Sequence, residues 1–333
     1  MFGFKEIEGN ELIVKCLQSA VIHRRISHAY IFAGPAGIGK KLMANSFAKT
    51  VMCGRPKRSD QGVDACGECV SCVTFESGNH PDMRYVRLDG KKSLGVDEIR
   101  QKVTLDMTVM PNQSPYKIFI IEDADAMTPA AQNALLKTIE EPESYGLFLL
   151  LAQNAAKFLP TVLSRCVTFK LKPLTNEQAA RHLVRRAGIG RRDAEALSVY
   201  AQGNIGRALS LADDESFIAM RRHVFEILDK LSYVGLFDLF GMAKNLEPYK
   251  ERGQEVLDIM YYWYHDVLVY LAAGRRFVTQ SDRMDAIRQA AEALPDISAA
   301  LNRLRAVWDA KRRLMNYANF QLTIEVMLFA LTE

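Results

Sequence analysis

The chain has 333 residues, 49% of them apolar and 25% charged, which suits ordinary globular cores and about two or three domains. Its apolar runs, such as Leu147 to Ala152, fall far short of the roughly 20 residues a spanning helix needs, and the start MFGFKEIEGNE has no basic region leading into an apolar one, so a soluble, cytoplasmic chain with no membrane partner is expected. The 43 basic against 39 acidic residues give a formal charge of +4, too mild an excess for strong DNA binding by this chain alone.

Residues 11–24 carry apolar positions at helical spacing, and HAYIFAG follows as a short apolar run ending in glycine, so helix, buried strand and loop are expected in turn. The loop is GPAGIGKK, Gly34 to Lys41, and a helical period resumes at once in LMANSFAKTVM. Two further buried strands are predicted, YKIFII (Tyr116 to Ile121) and YGLFLLLA (Tyr145 to Ala152). Between them TPAAQNALLKTIEEP should form a helix, with Thr128 as N-cap, Pro129 in the first position and Pro142 beyond its end. This alternation implies an α/β domain with a parallel sheet.

After VTFKLKPL only helices are expected. TNEQAARHLVRRAG opens with a Thr175/Gln178 capping box and closes at Gly188; a short helix follows over 192–201, then a glycine turn into GNIGRALSLA. From about Asp213 the helices lengthen, and VLDIMYYWYHDVLVYLAA is apolar on nearly all sides, as befits the centre of a bundle. The expected divisions are 1–172, 173–212 and 213–333.

A phosphate loop needs glycines that let backbone N–H groups close on phosphate, a lysine that neutralises it, and a Ser or Thr hydroxyl for magnesium. Gly34, Gly37, Gly39 and Lys40 meet the first two demands, but Lys41 stands where the hydroxyl belongs. The alternative is a plain glycine turn between strand and helix. Lys41 places a positive charge at the magnesium position, so productive ATP hydrolysis is not expected even where a nucleotide docks. The strand IFII ends in Glu122 and Asp123, the reverse of the Asp-Glu order a working ATPase uses, and a one-methylene change shifts each carboxylate by roughly an ångström. They read as strand-end acids of a degenerate nucleotide site.

Cys66, Cys69 and Cys72 fall in CGECVSC, with Cys53 upstream at the end of the loop's helix. Four thiolates at this spacing suit a closed, structural zinc site; an iron–sulfur cluster or free thiols are the alternatives. His28 is a candidate to touch an adenine or a partly buried, capped histidine. Met107 and Met110 read as packing residues, and RHLVRR as a solvated helix face or a contact to DNA backbone. Trp263, Tyr261, Tyr262 and Tyr264 read as core or subunit interface rather than as a base-stacking platform.

Together RRISHAYIFAGPAGIGKK, CGECVSC beside GNHPDMRYVRLDGKKSLGVDEIR, ALLKTIEEP, LPTVLSRCVTFKLKPL and NYANFQLTIEVMLFAL resemble the AAA+ clamp-loader subunits of bacterial DNA polymerase III, most of all the delta-prime branch, from about Phe4 to the end. The resemblance implies an AAA+ domain with a zinc-module insertion at about 53–80, a helical lid and an all-α collar. It makes Ser164, Arg165 and Cys166 a Ser-Arg-Cys motif whose arginine finger serves a neighbouring subunit's ATP; an arginine paired with a carboxylate at a domain boundary is the alternative. A lid arginine that senses nucleotide would have its place taken by Gly206, with Arg207 one step along, and a polar sensor would fall near Gln153 and Asn154. The implied partners are gamma or tau and delta subunits, through the collar and the Arg165 face, with the sliding clamp and primed DNA. The implied activity is that of a polymerase holoenzyme subunit without autonomous ATPase. A self-sufficient gamma/tau-like motor and a zinc-dependent DNA-binding module are the competing readings.

Overall fold

The computed structural model describes residues 2–60, 62–231 and 235–332. Packing divides the chain into two compact units, Met1–Pro173 and Leu174–Glu333.

The first unit is built on seven strands: β1 Ala29–Ala33, β2 Lys57–Ser59, β3 Gly62–Asp64, β4 Met83–Val86, β5 Lys117–Ile121, β6 Gly146–Ala152 and β7 Val167–Lys170. Five of them form one parallel sheet in the order β4-β5-β6-β1-β7, while β2 and β3 pair as a small antiparallel hairpin. The continuous apolar runs arise because both sheet faces are covered. Ala29, Ile31, Phe119, Ile121, Phe148 and Leu150 pack into the core on one face, and Tyr30, Phe32, Ile118, Ile120, Leu147 and Leu149 into the core on the other. Ala33 pairs with Ala152, and Ile121 with Leu150, so the chain leaves β1, β5 and β6 at one edge of the sheet. That edge is where parallel sheets collect ligands.

Local chemistry sets the helix ends as the sequence suggests. The Thr128 hydroxyl accepts from the Ala131 N–H and opens the helix Pro129–Glu140. Asp82, buried beside β4, accepts the backbone N–H groups of Asn112, Gln113 and Ser114 and ties down the loop that precedes β5. Burial opposes ionisation of Asp82, but those three donors outweigh it and hold its pKa below the usual Asp range. Met107 is buried as expected, whereas Met110 is 75% exposed and does not pack: it sits past the end of its helix in the turn, with no apolar face to lean on.

The second unit is helical. Asn176–Ala187 starts with the Thr175/Gln178 capping box and stops at Gly188, whose φ of 66° lies in the left-handed region that suits glycine. The helices Arg191–Ala201, Ile205–Ala212, Glu215–Lys230, Gly253–Ala273, Ile297–Met315 and Phe320–Thr332 follow, among others. One hydrophobic core runs from Ala180 to Leu331 across the expected division at 213. Trp263 and Tyr264 are buried in it, and Tyr261 and Tyr262 pack against it. Among the described residues no helix is long and apolar enough to cross a membrane.

Candidate functional site

β1 delivers the chain to Gly34, whose N–H donates to Ala152 O, and the turn closes at Gly39, where the helix Lys40–Met52 begins. Gly37 and Gly39 have φ of 76° and 102°, which a residue with a Cβ adopts only under strain. Lys40 folds back on the loop itself, with Nζ donating to Gly34 O at 2.5 Å and Pro35 O at 2.8 Å. Burial lowers its pKa, while Asp123 and Asp125 pull the other way.

Lys41 explains the rest of the site. Its Nζ lies 2.9 Å from Glu122 Oε1, and Arg87 Nε reaches the same oxygen at 2.9 Å. Both cations also flank the Tyr85 ring, with Lys41 Nζ 5.8 Å and Arg87 Cζ 5.0 Å from its centroid. Tyr85 in turn donates its hydroxyl to the buried Asn45 Oδ1 at 2.6 Å. Burial and the Glu122 charge raise the Tyr85 pKa, against the pull of Arg87. The residues present do not fit magnesium: Lys41 takes the place of the loop hydroxyl, and a divalent cation beside Glu122 would meet two positive groups.

Asp123 is exposed, in a left-handed conformation (φ 48°), and starts a short turn, near enough to Lys40 to act on its charge. Asp125, which sequence reasoning did not single out from the EDAD run, accepts from the N–H groups of Gln153 and Asn154 at 3.1 and 3.3 Å. It thereby joins the ends of β5 and β6. His28 sits part-buried before β1, its Nδ1–H donating to Gly146 O at 3.3 Å, which is the capped-histidine reading.

The Arg165 turn follows the short helix Pro160–Leu163. Arg165 is exposed, and its Nη2 lies 2.8 Å from Glu140 Oε1, while Nη1 donates to Thr161 O and Ser164 Oγ at 3.2 Å each. Ser164 therefore positions the guanidinium. The next residue, Cys166, has its thiol pKa pushed up to about 12 by burial, so it is inert packing. In the second unit Arg207 pairs with Asp258 at 3.4 Å, a carboxylate shared with Lys311.

The four cysteines converge. Their Sγ atoms all lie within 4.8 Å of one another, with Cys53–Cys69 and Cys66–Cys72 both at 3.9 Å. A tetrahedron with metal–sulfur bonds near ~2.3 Å has S–S edges of about 3.8 Å, so the donor set fits a four-thiolate metal site. The Cys66 thiol pKa is held down at about 6, first by the Glu68 N–H and also by that of Cys69, as a metal-ligating thiolate requires. Burial drives the Cys72 thiol the other way, so a cation is needed for all four to ionise together.

The parallel sheet, the glycine loop at its ligand edge and the helical second unit define the AAA+ class of phosphate-loop proteins. Two family models match: "DNA polymerase III, delta subunit" over residues 9–175, and "DNA polymerase III, delta subunit, C terminal" over residues 216–333. The delta-prime subunit of Bacillus subtilis DNA polymerase III is 30% identical, with 98% of each chain covered. That of Pseudomonas aeruginosa is 31% identical over 72% of this chain and 70% of its own length. The tau subunit of Bacillus subtilis is 28% identical over 88% of this chain, which spans only 55% of tau. The chain belongs to the delta-prime family of DNA polymerase III clamp-loader subunits.

Proposed function

We propose that this subunit contributes to ATP hydrolysis only in trans, by presenting Arg165 to the nucleotide of a neighbouring ATPase subunit while the complex places a sliding clamp on primed DNA. The observation that supports the reading is the Lys41–Glu122 ion pair, made by the lysine that stands where a phosphate loop would have its magnesium-binding hydroxyl. An arginine's planar, permanent charge meets a transferring phosphoryl group in a way a lysine cannot, and such a finger is worth about 10³–10⁵ in rate. Gamma or tau and delta subunits are the expected neighbours, held through 213–333 as collar, with 173–212 as lid. Zinc is the metal we assign to Cys53, Cys66, Cys69 and Cys72: four thiolates in a closed tetrahedron leave no open position, so its role is structural. The cytoplasm is the compartment this work requires.

The test is steady-state ATP hydrolysis by the chain alone, with magnesium and primed DNA, beside the assembled complex carrying Arg165→Ala. No turnover alone, with assembly intact and DNA-stimulated ATPase lost in the variant complex, is the expected outcome. Turnover by the isolated chain that Lys40→Ala abolishes would make it a motor subunit instead.

A further inference from the structure

Glu140 is an odd residue to find where it is. It ends the helix Pro129–Glu140, where the backbone dipole is negative and a cation is the stabilising choice. Helix stability therefore does not account for a carboxylate at this position. What it touches does: the Arg165 guanidinium, 2.8 Å away, on the far side of β6 in sequence. Both side chains are part-exposed, so the pair is reachable from outside the chain.

We propose that Glu140 is the resting counter-ion of Arg165, a carboxylate that a neighbour's nucleotide phosphate has to displace before the arginine engages. The inference rests on the trans-acting role of Arg165 proposed above. The guanidinium has five N–H donors and one positive charge. Thr161 O and Ser164 Oγ hold Nη1 and fix the direction of the group without cancelling its charge. Among the described residues, Glu140 alone pairs with that charge. An arriving phosphate competes with Glu140 for the guanidinium and repels it, so engagement is an exchange of anions rather than a simple addition. With an empty neighbouring site the arginine stays neutralised and directed; with a triphosphate there, the more highly charged anion wins. Glu140 thus sets how much phosphate charge is needed, and hence the ATP concentration at which the complex fires.

The experiment compares assembled complexes carrying the wild-type chain, Glu140→Gln, Arg165→Ala and the double variant, with ATPase rate measured against ATP concentration. Glutamine keeps the size and hydrogen-bonding capacity of Glu140 and removes its charge. Exposed ion pairs have a small worth, so Glu140→Gln should lower the apparent KM for ATP by about 1.5- to 5-fold with kcat maintained, and should do nothing when Arg165 is already Ala. An unchanged KM beside a defective Arg165→Ala complex overturns the counter-ion and leaves the finger standing. A fall in kcat overturns it too, because Glu140 would then be holding the arginine in its working pose. If Arg165→Ala itself behaves as wild type, the finger reading fails and the counter-ion with it. Glu140→Asp, which keeps the charge but draws it back by roughly an ångström, should fall between wild type and Glu140→Gln, and separates charge from any effect of substitution on folding.

Discussion

The phosphate loop and the Arg165 turn carry the same kind of charge in one α/β unit and dispose of it differently. Around the loop, Lys41 and Arg87 close on Glu122, and Lys40 spends its donors on the loop's own carbonyls. At the Arg165 turn one part-exposed carboxylate among the described residues balances the charge, and neutral oxygens do the orienting. Around the loop two cations share one carboxylate, whereas at the Arg165 turn one cation meets one carboxylate.

The strongest ways to break this contrast act on whole groups. Cys69→Ser should abolish metal binding and unfold the 53–80 module, since structural zinc sites supply on the order of 10 kcal/mol of binding free energy. Metal content and the thermal midpoint of the chain would register it, and chelation of the wild type should reproduce it. Because Cys53 ends the helix Lys40–Met52, the loop side of the contrast should suffer first in hydrogen exchange. Next comes Arg165→Ala in the assembled complex, with a loss of up to about 10³-fold or more in the neighbour's hydrolysis, while Lys40→Ala in this chain leaves that rate unchanged. Equal losses from the two variants would erase the distinction between the regions.

Smaller effects sharpen it. Asp82→Asn should cost about 1–3 kcal/mol in urea unfolding, because it weakens the buried acceptor of three backbone N–H groups. The Asp82 pKa is depressed in the folded chain, so its contribution is full above the ordinary Asp pKa of about 4 and is lost as pH falls below that range. The difference between wild type and Asp82→Asn should accordingly shrink in acid; a constant gap would refute the ionised role. Thr128→Ala, which removes the N-cap of the helix that ends at Glu140, should cost about 1 kcal/mol by the same measurement.

Much of this was open to reading along the chain. The glycines of the loop, the Thr128 and Thr175 caps, the strand runs and the cysteine spacing are local patterns, and local backbone preference decides them before any tertiary contact forms. The four thiols were legible for the same reason, because one tight turn supplies three of them. Lys41 marked the loop as unusual from the start, but nothing nearby in sequence showed that it would meet Glu122 and share that carboxylate with Arg87. Asp125, Tyr85 and Glu140 went unremarked, since their partners lie on other strands and helices. Met110 was misread because an apolar residue in a turn has no period to reveal which way it faces.

The sequence by itself thus determined the α/β order, the helical second half, the degenerate loop and the metal-binding set, all of which depend on residue type and short spacing. Tertiary structure alone decided that Lys41 and Arg87 share Glu122 and that Arg165 rests on Glu140. Ion pairs of this kind depend on which side chains the sheet order and helix packing bring within a few ångströms, and Coulomb energy falls with that distance rather than with separation along the chain.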